Sequence, residues 1–226
     1  HTRYISVTGV QTCALPISST LGLAGVPREA EEIVVARDLA LARLTGGRIH
    51  LCHLSSAGSV DLVRRARAAG VAVTAEVTPH HLSLTDDSLA SYDANVRVNP
   101  PLRAAADRDA LRAGLADGTI DAVATDHAPH APEEKEVEFD LAPPGTIGLE
   151  TALAVILTDL VAPGLLDLPR AIAALSTDPA RIMGAAGHGG PIEPGAAANL
   201  VLFDPEAAWT VAAPFASRSR NSAFLG

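Results

Sequence analysis

Aromatic side chains are scarce in this chain: Phe, Tyr and Trp make up 3% of its 226 residues. Cysteine is scarcer still, with Cys13 and Cys52 alone and far from CxxC spacing. Two distant cysteines in a chain this long exclude a disulfide-stapled secreted scaffold and read as a cytosolic protein. Positive charge is in deficit. Lys and Arg number 17 against 26 Asp and Glu, a formal charge of −9. That balance excludes nonspecific nucleic-acid binding, which needs a basic patch. No run of 18 apolar residues occurs, so no membrane span is expected. What is there is ample core material: apolar residues make up 48% and charged residues 19%, which excludes a disordered composition. The length suits one domain or one and a half.

The ends stand apart from the middle. Residues 1–18 (HTRYISVTGVQTCALPIS) show neither helical nor strand period. A signal peptide is excluded because Thr8, Gln11 and Thr12 break the apolar region. The stretch is similar to translated adapter sequence and is expected to be foreign. The chain stops at Phe224-Leu225-Gly226 without a closing element, and both ends read as cut.

From Ser19 the pattern becomes regular. Pro27, then Glu29, Glu31 and Glu32, then Gly46-Gly47 predict a helix with its start and stop. RIHLCHL (48–54) is a short apolar run, and 59–69 a helix stopped by Gly70. VAVTAEV (71–77) alternates as a strand does, NVRV (95–98) is a third apolar run, and DAVAT (121–125) a fourth. Helices are expected over 107–116 and near 148–161, 168–175 and 178–184, and a long loop over 126–146. Strands alternating with helices predict an α/β protein with parallel strands. Past a boundary near Gly187, residues 189–211 carry turn signals and short strands but no long helix.

Polar residues follow the apolar runs. His53 closes the first run beside Cys52; Glu76, His80 and His81 follow the second; Asn99 and Arg103 the third; Asp126, His127 and His130 the fourth. The carboxyl ends of parallel strands carry the ligand in barrels and in open sheets. Six of the eight histidines lie between 50 and 130, and His with carboxylate is the donor set of a hydrolytic zinc or related ion. Each residue alone has a structural reading. His50 or His53 could be a strand-end His, with 50 and 52 on one face and 51 and 53 on the other. Cys52 could be a core thiol, His80-His81 a loop anchor and Asp126 a turn acid. Arg97 and Arg103 read as surface ion pairs. Together, at successive strand ends, these residues point to a metal site.

At these residues a family resemblance emerges. HLCHLSS (50–56), AEVTPHHLSLT (75–85), NPPLR (99–103), TDHAPH (125–130) with EEK (133–135), and PGTIGLET (144–151) resemble a bacterial class I dihydroorotase of the amidohydrolase superfamily. The resemblance covers about residues 19–221. It implies a metal-dependent, reversible hydrolysis of the cyclic amide of L-dihydroorotate to N-carbamoyl-L-aspartate. It also implies a (β/α)8 TIM barrel with a small β-sandwich, so that 19–187 would hold the later barrel strands and 188–226 part of the sandwich. His53 and Asp126 would be zinc ligands of a binuclear Zn2+ site, and Asp126 the catalytic proton shuttle. Asn99 and His130 would contact substrate. Pro144 and Gly145 would belong to the loop closing over it, where many relatives have Phe-Gly. Cys52 and Glu76 match an additional zinc site of some relatives.

The resemblance also implies ligands that this stretch does not carry. The H-x-H pair of the first strand would precede residue 19, where His1 is the single histidine. The bridging carboxylate and a further His would precede it too. Residues 19–187 fall short of the about 250 residues of a complete barrel. The isolated chain is therefore expected to be inactive and poorly soluble or partly unfolded. Two alternatives remain: an allantoinase- or hydantoinase-type cyclic amidohydrolase, and a noncatalytic scaffold for aspartate transcarbamoylase. Homodimerisation is equally compatible with the resemblance.

Overall fold

The computed structural model describes residues 13–14 and 17–226. Most of the stretch expected to be foreign lies outside the described residues. Strand β1 (Cys13–Ala14) pairs in parallel with β2 (Gly25–Val26), and the short helix α1 (Ile17–Leu21) joins them, running across the expected boundary at residue 18. Helix α2 (Glu29–Thr45) follows, with Glu29, Glu31 and Glu32 in its first turn, where the helix dipole favours acids. Gly46 ends it in the left-handed conformation at φ 67°.

Strand β3 (Ile49–Leu51) leads to α3 (Ala57–Ala68), capped by the Ser56 hydroxyl, which accepts the Ser59 N–H at 3.1 Å. Strand β4 (Val73–Val77) runs into the short helix α4 (Pro79–Ser83), capped by Thr78. Helix α5 (Ala105–Ala116) precedes β5 (Ala122–Val123). The three strands form one parallel sheet in the order β3-β4-β5, with Leu51 opposite Ala75 and Val77 opposite Val123. Beyond β5 lie α6 (Pro132–Lys135), α7 (Ala152–Ile156) continued by a π-turn over Leu157–Val161, α8 (Leu168–Ile172) continued by another over Ala173–Thr177, and α9 (Asp178–Met183).

The core lies where helices meet this sheet. Val35 and Leu39 of α2, Val60 and Val63 of α3, Ala75 and Val77 of β4, and Leu111 and Leu115 of α5 join Ile156 and Leu160 in one buried cluster. Each Val, Leu or Ile side chain here contributes about 1.5–3 kcal/mol by leaving water. Helix α5 comes close to α3 because Gly114 has no side chain: a Cβ there would lie 2.8 Å from Val60 Cγ1. A second cluster (Leu89, Val96, Val98, Leu102 and Phe139) packs beneath the loops after α4.

Four expectations need correction. NVRV is not a strand: Ala94–Val96 is a turn of 3-10 helix, and Val96 and Val98 turn into the second cluster instead of pairing with the sheet. The chemistry therefore follows three parallel strands, not four. The long loop over 126–146 contains α6. Residues 189–211 form no strand; most of their backbone bonds are local turns such as Ala196 N–H to Glu193 O, one isolated bond joins Gly226 N–H to Val211 O at 3.1 Å, and Leu202 is fully exposed. A strand needs a neighbour to take its backbone groups in a continuous ladder, and among the described residues this segment makes none. Arg97 and Arg103 are not surface ion pairs but buried, each 4% exposed. Arg103 donates to Val26 O at 2.6 Å and to Ser55 Oγ at 3.1 Å, within a ring of Glu31 and Asp107.

Candidate metal centre

Three strand ends bring one chain of polar groups together. Strand β3 stops at Leu51, and His53 takes a left-handed backbone at φ 55°. Strand β5 stops at Val123, and Asp126 does the same at φ 47°. Such values are uncommon outside glycine and cluster at functional sites. They also overturn the parity reading, since strand alternation lapses once the strand has ended. His50 and His53 both reach Glu76, at the end of β4.

Glu76 is the hub. His50 Nε2 lies 3.0 Å from Glu76 Oε2, and His50 Nδ1 lies 2.8 Å from Thr74 Oγ1. His53 Nδ1 lies 3.0 Å from Glu76 Oε1, and His53 Nε2 lies 3.6 Å from Asp126 Oδ1. Burial pushes the Glu76 carboxyl up, but the two histidines more than offset it and leave it below the ordinary range. Glu76 raises the His53 imidazole, against the effect of burial, and Asp126 adds to the rise. His50, Cys52 and Glu76 each offer one donor atom within 4.8 Å of the others, a second set able to hold a cation. Cys52 is exposed, and its thiol is pushed up by partial burial and by Glu76.

The expected substrate residues divide. His130 Nε2–H donates to Pro144 O at 3.2 Å, and a Cβ on Gly145 would lie 2.8 Å from that nitrogen, so His130, Pro144 and Gly145 form one cluster. Asn99 is exposed, and no described hydrogen bond joins it to His53, Glu76 or Asp126. His80 and His81 are fully buried with ring centroids 4.7 Å apart. Burial, with added repulsion from neighbouring cations, lowers both, His81 to about 4. His81 is held between Thr78 Oγ1 at 2.7 Å and Pro100 O at 2.9 Å, so the pair anchors the loop. His127 Nδ1 accepts the backbone N–H of Gly148 at 3.2 Å, which also makes it an anchor.

Residues 30–223 match the model of the amidohydrolase family. The chain belongs to the amidohydrolase family. It is 53% identical over 211 residues to the dihydroorotase of Pelotomaculum thermopropionicum, covering 93% of this chain and 49% of that one. It is 55% identical over 210 residues to the dihydroorotase of Mycobacterium tuberculosis, covering 92% and 49%. The chain thus spans about half the length of these curated relatives. Among solved structures, an L-hydantoinase (dihydropyrimidinase) from Arthrobacter aurescens superposes with TM-score 0.72 at 31% identity, over 76% of this chain and 39% of that one. A dihydropyrimidinase from Brevibacillus agri superposes with TM-score 0.71 at 28% identity over the same shares.

Within this amidohydrolase-family chain, sequence reasoning missed two residues. His50 was visible as a strand histidine, but its carboxylate partner lies on the next strand. Asn221 Nδ2–H donates to Ala128 O at 2.9 Å and Gly145 O at 3.1 Å, and no local pattern marks it. Among the described residues, no helix is long and apolar enough to cross a membrane.

Proposed function

We propose that this chain supplies the later strands of a (β/α)8 barrel in a zinc-dependent dihydroorotase. Its reaction is the reversible hydrolysis of L-dihydroorotate to N-carbamoyl-L-aspartate. One observation carries the reading: the groups facing one another across three strand ends, His53, Glu76 and Asp126, belong to a sequence 53–55% identical to proteins named dihydroorotase. The cytosol suits a chain in which Cys52 is a free thiol.

The donors fit a divalent ion. His53 Nε2 and Asp126 Oδ1, an imidazole nitrogen and a carboxylate oxygen, face each other at 3.6 Å, the donor types of a hydrolytic zinc. His53 and Asp126 would hold the ion, with Cys52 and Glu76 available to an additional one. When bound, zinc supplies a Lewis acid that polarises a carbonyl and lowers the pKa of water. The chain's own residues do the rest. Asp126 takes the proton of the attacking water on a carboxylate oxygen and hands it to the departing ring nitrogen, base first and acid second. His130 and the Pro144–Gly145 loop, with Asn99, fix the ring in place. Two donors fall short of the three protein ligands of a catalytic zinc, so low turnover is expected from the chain alone. A β-sandwich built with residues 188–226 belongs to the same proposal. So does a homodimer or a complex with aspartate transcarbamoylase.

A hydantoinase-type activity is the second reading, favoured by the solved neighbours at 28–31% identity. The higher identity to dihydroorotases outweighs it. Unsubstituted His53 and Asp126 argue for an enzyme over a noncatalytic scaffold. The test is hydrolysis of dihydroorotate, dihydropyrimidine, hydantoin and allantoin by the zinc-loaded protein that carries this chain. Dihydroorotate should be the preferred substrate, and Asp126→Asn should lower turnover by about 10²–10⁴-fold. Preference for hydantoin, or turnover unchanged by Asp126→Asn, would overturn the reading.

A further inference from the structure

We infer that Glu76 is a positioning residue for His53: its Oε1 takes the proton of His53 Nδ1 in a hydrogen bond, so that the Nε2 lone pair faces Asp126. This rests on the proposed metal site, because it assigns which nitrogen of His53 is left to hold the ion.

Three observations carry it. First, the two ring nitrogens have different neighbours: Nδ1 lies 3.0 Å from Glu76 Oε1, and Nε2 lies 3.6 Å from Asp126 Oδ1. An imidazole whose Nδ1–H meets a carboxylate keeps its lone pair on Nε2, the arrangement by which carboxylates orient metal-binding histidines. Second, His53 Nδ1 is buried and has no aligned hydrogen-bond partner. A buried N–H left unmade is costly. The second torsion of a histidine is broad, so the ring is free to turn Nδ1 towards Oε1. Third, the carboxylate is itself held. His50 occupies Oε2 at 3.0 Å, and Thr74 Oγ1 lies 2.8 Å from the other nitrogen of His50. With Nε2–H given to Glu76, His50 Nδ1 accepts from the Thr74 hydroxyl, and the tautomers of the relay are consistent throughout. Two oxygens, each committed to a different histidine, leave Glu76 little freedom to turn away. His53 makes this contact from a left-handed backbone at φ 55°.

The side-chain nitrogen spectrum of the 15N-labelled full chain, recorded where the ring is neutral, reads the tautomer directly. His53 should be protonated on Nδ1. That preference should weaken in Glu76→Gln, which keeps the volume, and vanish in Glu76→Ala, while His50→Ala leaves His53 protonated on Nδ1. A wild-type His53 protonated on Nε2, or a tautomer unmoved by both Glu76 variants, overturns the inference. So does a tautomer that His50→Ala disturbs as much as Glu76→Gln does. The tautomer is read without metal or turnover. Failure of the dihydroorotase reading would leave it in place, and its own failure would leave the substrate assay untouched.

Discussion

Asn221 and His130 lie 91 residues apart, and the Asn221 side-chain carbonyl accepts the backbone N–H of His130 at 3.1 Å. The same side chain donates to the carbonyls of Ala128 and Gly145, so one amide ties together the loops of His130 and Gly145. Asn221→Ala would leave several buried backbone groups unpaired, at ~1–3 kcal/mol each, of which part is regained through water. We expect a fall in stability of about 2 kcal/mol by urea unfolding, with faster hydrogen exchange at His130. Unchanged exchange there would mean that the loops do not depend on this clamp.

Gly145 has φ 141°, and a Cβ on it would meet Ala128 Cβ at 2.6 Å and His130 Nε2 at 2.8 Å. Gly145→Ala combines a backbone strain with overpacking and should cost ~1–3 kcal/mol. The His130 ring resonances should shift with it, because that ring is the movable neighbour. A melting temperature equal to wild type would contradict the close approach.

Arg103 is a buried cation beside Glu31 and Asp107, and it donates to Ser55 and Val26. Removing one partner of such a group strands the others, at a cost of ~3–5 kcal/mol. Arg103→Met is therefore expected to lower the urea midpoint strongly, and Arg103→Lys to recover part of it. A midpoint near wild type in Arg103→Met would place the cation at the surface after all.

His81 is buried and neutral, with a folded value of about 4 against 6.5 for a free imidazole. Between those values the unfolded chain binds a proton that the folded chain refuses. Stability from this group is full above about 6.5 and is lost as pH falls towards 4. His80 acts in the same direction. Urea unfolding from pH 7 to pH 4 should show this loss, and His81→Gln should make the curve shallower. An equally steep curve in the variant would assign the loss to other groups.

Much of the fold was legible in local pattern. The acidic first turn and Gly46 of α2, the alternation of β4, and the run at β5 were read within a few residues, because capping and periodicity act over short stretches. NVRV misled because a four-residue apolar run looks the same whether it pairs in a sheet or packs under a loop. The short strands expected over 189–211 failed for a related reason, since a strand exists only with a partner.

Local pattern alone was enough to mark the candidate groups and their place just past apolar runs: His53, Glu76, Asp126 and His130. Only the tertiary structure decided who faces whom. It set Glu76 between His50 and His53, buried Arg97 and Arg103, and brought Asn221 to the loop of His130. The physical reason is range. Propensity, capping and periodicity are written in neighbouring residues, whereas a hydrogen bond between distant strands depends on register and on left-handed residues such as His53 and Asp126, which no short pattern announces.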